Sequence, residues 1–370
     1  MWRIWKTKYS KKVGDLMAKY ILGLEIGNSN IKLLECKKQG TQMTIEKSQI
    51  IPTPEGVILD GMIENVQAVY EVINKEIKGR KYKSRNIVTV IKSSEIITRD
   101  IRMDPMPKKD MDAILALQYQ EHLLVDISQY QVTYKIVKQM GRTEEDEQEL
   151  LIVAAPNTII YPLLEVARKL KMKMKSINIA SDAITNLFFQ QNSAMSMEEE
   201  EVMVIDIGGK STTVTIVCGG VGVLNRDIPF GLDAINPLIT REFGVENTED
   251  IERFKVKHAG IYEEDLERDP QGQYISSILK PMMEYQLISE IRRFLQFHFS
   301  RSKNNSIEKI HIVGGGAYLK NIDQYFSNIL GIPCLLGIEL DLIKMNDHDE
   351  FKDKGAYFAN ILGLVSEFWG

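Results

Sequence analysis

Residues 202–217 place a carboxylate, two glycines and a run of small polar or cationic side chains between two apolar segments, as Asp206-Ile207-Gly208-Gly209-Lys210-Ser211-Thr212. Glycine lets a backbone come close to a bound group and turn its N–H donors toward it. Ser211 and Thr212 add hydroxyl donors, and Asp206 is of the type that orders a hydrated Mg²⁺. The chemistry this suits is phosphate binding; the plain alternative is a hairpin with a glycine turn. The same grammar recurs near the start of the chain in Glu25-Ile26-Gly27-Asn28-Ser29-Asn30-Ile31-Lys32. A third cluster, Gly314-Gly315-Gly316, follows a short apolar run at 309–313 and leads into a helical pattern from Tyr318.

The elements that must position these residues are legible in outline. Residues 202–205 are continuously apolar and 213–217 are β-branched throughout, so the unit reads as strand, tight turn, strand. Around the first copy, 19–93 reads as a hairpin, a further strand at 43–51, a turn at 52–56, a helix over 63–77 and a strand at 86–91. Residues 95–101 then read as a strand and 110–124 as a helix. Strands at 131–137 and 149–155 flank an acidic loop at 140–148, and a helix at 158–170 ends in the basic run 169–175. These form a small α+β module inserted at 95–175. Further on, Met283, Leu287, Ile291 and Phe294 make one apolar helical stripe, read as core.

With 370 residues the chain exceeds one typical domain, so two lobes are expected. Apolar content of 44% and charged content of 26% are ordinary for a globular protein. A net charge of −5 argues against nucleic acid as the main partner. Cys36, Cys218 and Cys334 stand far apart and the five histidines are scattered, which gives neither a disulfide frame nor a zinc site. No apolar run reaches the roughly 18 residues that span a bilayer. Residues 1–16 mix Trp2, Ile4 and Trp5 with Arg3, Lys6, Lys8, Lys11 and Lys12. They lack the apolar core of a signal peptide and read as a disordered basic tail, with contact to an anionic membrane surface as the alternative.

The three glycine motifs, in this order, resemble the phosphate and adenosine motifs of the actin-like ATPase superfamily. A module inserted in the first lobe resembles FtsA and, more closely, the PilM family of type IV pilus assembly, over 19–368. Val153-Ala154-Ala155-Pro156, Asp227-Ile228-Pro229-Phe230-Gly231, Glu252-Arg253-Phe254-Lys255 and the closing 355–364 carry the rest of that likeness. It implies an α/β, actin-like (RNase H-like) two-lobe ATPase fold with an inserted SHS2-like subdomain. The first lobe would comprise 17–94 and 176–199, with 95–175 as the insert. The second would comprise 200–240 and 301–345, with 241–300 as its smaller subdomain and 346–370 returning to the first.

The resemblance implies ATP and Mg²⁺ as cofactors. Gly27, Asn28, Ser29 and Asn30 would meet the β- and γ-phosphates, with Lys32 as counter-charge. Gly208, Gly209, Lys210, Ser211 and Thr212 would close on them from the other lobe, and Asp206 would hold the metal through water. Glu252 and Lys255, one helical turn apart, would face ribose and base. Gly314, Gly315 and Gly316 would leave room for the purine, bordered by Asn321. Glu25 and Asp206 are the carboxylates placed for catalysis, but many relatives have Asp where this chain has Glu25. One extra methylene is on the scale at which catalytic geometry fails, so at most slow hydrolysis is expected.

The implied partner is a PilN-like single-span membrane protein, docked by its cytoplasmic N-terminal tail. This would place the chain in the cytoplasm, at the inner face of the membrane. A pilus motor ATPase or platform proteins would be further partners, and self-association is a further expectation. The groove walls would be strand 95–101, with Ile97 and Ile101, and helix 110–124, with the apolar stripe Ile114, Leu117 and Leu124. Read without the resemblance, that stripe is the module's own core. The competing readings are an FtsA-like division ATPase, a small-molecule kinase needing a substrate cleft, and an Hsp70-like chaperone needing a peptide-binding domain.

Overall fold

The computed structural model describes residues 19–39, 42–139, 148–192, 201–219, 221–262, 269–301, 306–337, 343–345 and 351–369. The basic tail at 1–16 and the acidic loop up to 147 lie outside the described residues. The chain opens with β1 (Tyr20–Ile26), β2 (Asn30–Gln39), β3 (Gln42–Pro52), the ribbon β4 (Ile58–Leu59) and β5 (Met62–Ile63), α1 (Val66–Gly79) and β6 (Asn86–Ile91). Next come β7 (Ile97–Met103), α2 (Lys108–Leu123), β8 (Tyr130–Gln139), β9 (Gln148–Pro156), α3 (Asn157–Lys169), β10 (Lys173–Ile179) and α4 (Ala180–Asn192). The second half holds β11 (Glu201–Ile207), β12 (Thr212–Cys218), β13 (Val221–Ile228), α5 (Asn236–Phe243), α6 (Thr248–His258), α7 (Pro270–Met282) and α8 (Ser289–Phe299). It ends with β14 (Lys309–Val313), α9 (Ile322–Leu330), β15 (Cys334–Leu336), β16 (Ile343–Met345), α10 (Phe351–Lys354) and α11 (Ala359–Trp369).

Two sheets repeat one plan. In the first, β1 pairs antiparallel with β2 and parallel with β6, in the order β10-β6-β1-β2-β3-β16. In the second, β11 pairs antiparallel with β12 and parallel with β14, in the order β13-β12-β11-β14-β15. β1 and β11 are covered on both faces, which is why their apolar runs are continuous instead of alternating. The first lobe's core packs Leu22, Leu24 and Ile87 against Val69 and Ile73 of α1 and Ile160 and Leu163 of α3. The second packs Met203, Ile205 and Ile216 against Ile275, Leu279 and Ile291. Residues 241–300, expected as a subdomain, share that one core.

A third core joins the lobes. Ile21, Leu34 and Val88 from one sheet and Val202, Val204 and Val217 from the other meet Ala183 and Leu187 of α4 and Ile361 and Val365 of α11. The two helices touch closely: a Cβ on Gly363 would lie 1.8 Å from the Ala183 carbonyl oxygen. The closing segment therefore lies between the lobes, where it can feel both.

The insert is smaller than the sequence suggests. Its sheet, β7-β9-β8, is backed by Met111, Leu115 and Leu123 of α2. The two final elements of the expected module, α3 and β10, belong to the first lobe. β10 pairs parallel with β6 and α3 packs on α1, because a buried apolar strand and an amphipathic helix complete that sheet's open edge. Likewise β16, expected in the second lobe, pairs with Met43–Ile45 of β3 in the first.

Candidate functional site

The two hairpin turns are near copies in three dimensions. Glu25 lies opposite Lys32 and Asp206 opposite Thr213 in equivalent registers. Gly27 donates its N–H to the Asn30 carbonyl at 3.0 Å, and Gly208 donates to the Ser211 carbonyl at 3.0 Å. Those two N–H groups close the turns and are spent there. The turns face each other across a cavity of about 550 Å³ between the lobes. Glu25, Gly27, Asn28, Ser29, Asn30 and Lys32 line it from the first lobe. Asp206, Gly208, Gly209, Lys210, Ser211, Glu252, Lys255, Gly314 and Gly315 line it from the second.

The charges inside are organised. Lys32 Nζ sits 2.9 Å from Glu25 Oε1, so this lysine is committed to its cross-strand carboxylate and is not a loose counter-charge for phosphate. Asp206 has no cation opposite it; its Oδ2 accepts from Asn360 Nδ2 of α11 at 3.1 Å. Ser29 Oγ donates across the cleft to Asp233 Oδ2 at 2.7 Å. Asp233 Oδ1 is 3.0 Å from Lys255 Nζ, which is 2.5 Å from Glu252 Oε1. A line of contacts thus runs from the first turn to the helix that was expected to face a nucleoside. Lys92 of the first lobe stands 4.0 Å from Asp227 of the second at the cavity wall.

Acids outnumber bases here: Glu25, Asp60, Asp206, Asp227, Asp233 and Glu252 stand against Lys32, Lys92, Lys210 and Lys255. A polyphosphate would enter such a site only with a divalent cation to bridge it to the carboxylates. Among the described residues no three His, Cys, Asp or Glu side chains stand together as direct metal ligands. The donor set fits Mg²⁺, which keeps several waters and takes phosphate oxygens, with one or two carboxylates at its shell. Two buried oxygens in the cavity lining, Glu25 Oε2 and Asn28 Oδ1, have no hydrogen-bond partner. Buried polar atoms of this kind usually find partners, and a bound polar ligand would supply them.

Several expectations are corrected. Thr212 is fully buried and its hydroxyl donates to the Phe230 carbonyl at 2.8 Å, out of reach of a phosphate. Gly316 presses on the Ile207 side chain, where a Cβ would stand 2.4 Å away. Asn321 starts α9 in the left-handed conformation (φ 57°) and does not line the cavity. The space over Gly315 is occupied by the Tyr357 ring, with Cε1 3.1 Å from where a Cβ would be. Tyr357 stacks on Tyr318 at 4.8 Å between ring centroids. Burial, then the Glu252 charge and Tyr318, push its phenol well above its ordinary pKa, so it stays a neutral donor. Sequence reasoning missed both tyrosines and Asp233. The signal for Asp233 was Gly231, whose Cβ would come 2.1 Å from the Gly209 carbonyl oxygen. Only glycine lets the Asp233 loop lie against the turn.

On the insert, Ile97 and Ile101 of β7 pack toward the module's core. Ile114, Leu117 and Leu124 do not: Leu117 and Leu124 are each 83% exposed and Ile114 is 37% exposed. The reading of that stripe as the module's own core is overturned, because α2 turns Met111, Leu115 and Leu123 inward instead. Among the described residues β7 is an edge strand, paired with β9 alone.

A family model for the type IV pilus assembly protein PilM matches residues 23–359. Among solved structures, the chain is similar to one described as the PilM-PilN type IV pilus biogenesis complex. The identity is 20% over 95% of this chain and 98% of that one, with a TM-score of 0.78. The ethanolamine utilization protein EutJ from Carboxydothermus hydrogenoformans is 14% identical over 95% of this chain and 90% of its own, with a TM-score of 0.51. A diol dehydratase-reactivating factor in nucleotide-free form is 10% identical over 95% and 100%, with a TM-score of 0.52. Identities this low speak to the fold alone, and the fold is actin-like. The match over 23–359 goes further: this chain belongs to the PilM family of type IV pilus assembly proteins, on an actin-like ATPase fold.

Proposed function

We propose that the inter-lobe cavity binds Mg-ATP, that the bound nucleotide is hydrolysed slowly at most, and that its presence regulates docking of a membrane partner. The observation that carries the nucleotide reading is the pair of matched acidic-Ile-Gly turns facing one cavity, with Glu25 Oε2 and Asn28 Oδ1 unpartnered inside it. Asp206, held by Asn360, would order the metal's water shell, and the metal would supply charge neutralisation for the phosphates. Ser29, Lys210 and Ser211 would contact phosphate, while Glu252 and Lys255 would face the nucleoside. Glu25 is neutralised by Lys32 and longer than the usual carboxylate there, which supports slow turnover, below the enzyme median of about 10 per second.

Calorimetry and thermal unfolding test this. Mg-ATP should raise the melting temperature with concentration, as any ligand of the folded state does. Asp206→Ala should abolish the metal-dependent part. No response at millimolar Mg-ATP would sink the site, and brisk phosphate release would sink the regulatory reading.

The partner reading follows from family membership and from the insert's exposed features. The fitting occupant is the cytoplasmic N-terminal tail of a PilN-like single-span protein, laid along the β7 edge and the Leu117/Leu124 face of α2. Backbone hydrogen bonds from an edge strand supply affinity and side-chain contacts supply specificity. Such a tail would hold the protein at the inner face of the membrane. Among the described residues no helix is long and apolar enough to cross one. A synthetic tail should bind the wild type and bind Leu117→Glu/Leu124→Glu at least about tenfold more weakly, with wild-type affinity changing when Mg-ATP is added. Equal binding by the variant would remove this face as the dock.

A further inference from the structure

The first-lobe sheet carries charge at both ends of its strands, and the cavity accounts for only one. At the opposite end β10, β6 and β1 begin and β2 ends, with Lys173 beside Asn86 and Tyr20 beside Lys37. Two helix-to-strand turns finish there as well, one after α1 and one after α3. Each turns on a lysine in the left-handed conformation, Lys81 (φ 54°) and Lys171 (φ 55°). Lys19, Lys81, Lys83, Arg85, Lys171 and Lys173 are all exposed on this rim. Lys47 Nζ fastens the first turn by donating to the Arg80 and Lys81 carbonyls at 2.5 and 2.7 Å.

The neighbouring acids leave the rim positive. Glu46 is shared between Lys83 at 3.5 Å and Lys37 at 3.9 Å. Glu35 is buried and accepts the backbone N–H groups of Lys83 and Ser84. Glu165 pairs with Arg168 at 3.7 Å. A chain of net charge −5 therefore concentrates positive charge on one end of one lobe. That end lies about 20 Å from the cavity, the length of β1 at roughly 3.3 Å per residue. Phosphates in the cavity cannot be what it serves.

A second, independent feature adjoins it in the sequence. The sequence that joins the fold at Lys19 carries Arg3, Lys6, Lys8, Lys11 and Lys12 with Trp2 and Trp5, against the single acid Asp15. Tryptophan among lysine and arginine is the composition that suits a membrane–water interface. The rim spreads its charge across neighbouring strand ends about 4.8 Å apart and the two turns beside them. Charge spread over several strand ends meets an extended anionic surface better than a narrow groove, and the negative remainder of the protein would be held away from that surface.

We propose that this rim is a docking face for anionic phospholipid headgroups, so that the protein rests on the membrane through its own charge in addition to any partner. The inference rests on membership of a pilus assembly family and is independent of the nucleotide reading. Attraction of this kind adds up over the basic residues near the surface and is screened by salt.

The test is flotation of the full chain with vesicles of phosphatidylcholine alone and of phosphatidylcholine and phosphatidylglycerol in equal amounts. The wild type should float with the anionic vesicles only and be released by high salt. Lys81→Glu/Lys83→Glu/Lys171→Glu/Lys173→Glu should lose at least about tenfold in partitioning, and a chain lacking residues 1–18 should keep a measurable part of it. The melting temperature and its Mg-ATP shift, measured beside flotation, check folding, and they judge the nucleotide reading separately. If the glutamate variant does not fold, the same four positions as glutamine are read in its place. Equal flotation with neutral vesicles, undiminished flotation of the variant, complete loss on removing 1–18 alone, or tighter binding to a DNA duplex than to anionic vesicles would each overturn the proposal.

Discussion

Replacing Gly314 by alanine should damage both the fold and the metal-dependent part of ligand binding. Gly314 has φ 78° and ψ −170°, a region held almost only by glycine, where another residue costs about 1–3 kcal/mol. The added Cβ would also lie 2.3 Å from Asp206 Oδ1 and 2.6 Å from the Ile207 carbonyl oxygen. Neither neighbour can withdraw freely. Ile207 is in β11, a strand paired on both sides, and the Gly314 N–H is itself bonded to the Ala356 carbonyl at 2.9 Å. The remaining escape is rotation of Asp206, which breaks its buried bond from Asn360. Asn360 Oδ1 already lacks a partner, so the residue would also lose its hydrogen bond to Asp206, at about 1–3 kcal/mol. The total is about 2–6 kcal/mol. Gly315→Ala is the control. Its Cβ would meet only the Tyr357 ring at 3.1 Å, a side chain that can shift, so its cost should stay within about 1 kcal/mol. Urea midpoints at unchanged slope measure the first quantity, and the Mg-ATP thermal shift measures the second. A Gly314→Ala protein as stable as the control, or one that keeps the full Mg-dependent shift, would refute the account of how Asp206 is held.

Three further outcomes follow from single contacts. Lys135 of the insert lies 2.5 Å from the buried Asp182 of α4 and also donates to Asn186, so Lys135→Met should cost about 2 kcal/mol, less than a fully buried pair because the lysine is partly exposed; pairing it with Asp182→Asn should cost less than the sum, by urea unfolding of all four proteins. Thr212→Val should lower stability by about 1–2 kcal/mol, for the lost bond to Phe230, and leave the Mg-ATP shift unchanged, whereas Ser211→Ala should weaken that shift. Burial pushes the Cys334 thiol up to about 11 from its usual 9.0, so site-resolved alkylation should lag a free thiol by roughly 100-fold at pH 8. The unfolded chain releases that proton first, so the thiol's contribution to stability is intact below pH 9 and falls as pH rises toward 11.

What the sequence made legible was local. Glu25-Ile26-Gly27 and Asp206-Ile207-Gly208 announce their hairpins because continuous apolar runs, then glycine and small polar residues, leave the chain few alternatives. The side chains of α2 show where such reasoning ends. Met111, Leu115 and Leu123 repeat with helical spacing just as Ile114, Leu117 and Leu124 do, so periodicity gives two candidate inner faces. The choice belongs to Leu150, Ile152 and Ala154, which meet only the first set. Assigning α3 and β10 to the insert failed for a related reason. Which sheet a strand joins depends on which edge stands open in the folded lobe, and that edge is β6, more than eighty residues earlier in the chain. Asp233 and Tyr357 were invisible because loop and helix bring them to the cavity from distant segments.

The near-symmetry of the two hairpins gives meaning to the place where it breaks. Equivalent strands end in Glu25 and Asp206, but the residue opposite differs: a lysine faces the first and a threonine the second. Glu25 therefore spends its charge on Lys32 inside its own lobe. Asp206 is 8% exposed and, among the described residues, accepts an amide hydrogen bond from a helix that packs against both lobes. A buried carboxylate without a fixed cation beside it suits a mobile one, and it is the part of the cavity that a divalent ion would complete. On the nucleotide reading proposed above, the asymmetry would place the metal on the second lobe's side of the cavity. It would also tie that metal, through Asn360, to α11, so filling the cavity would load a helix packed against both lobes.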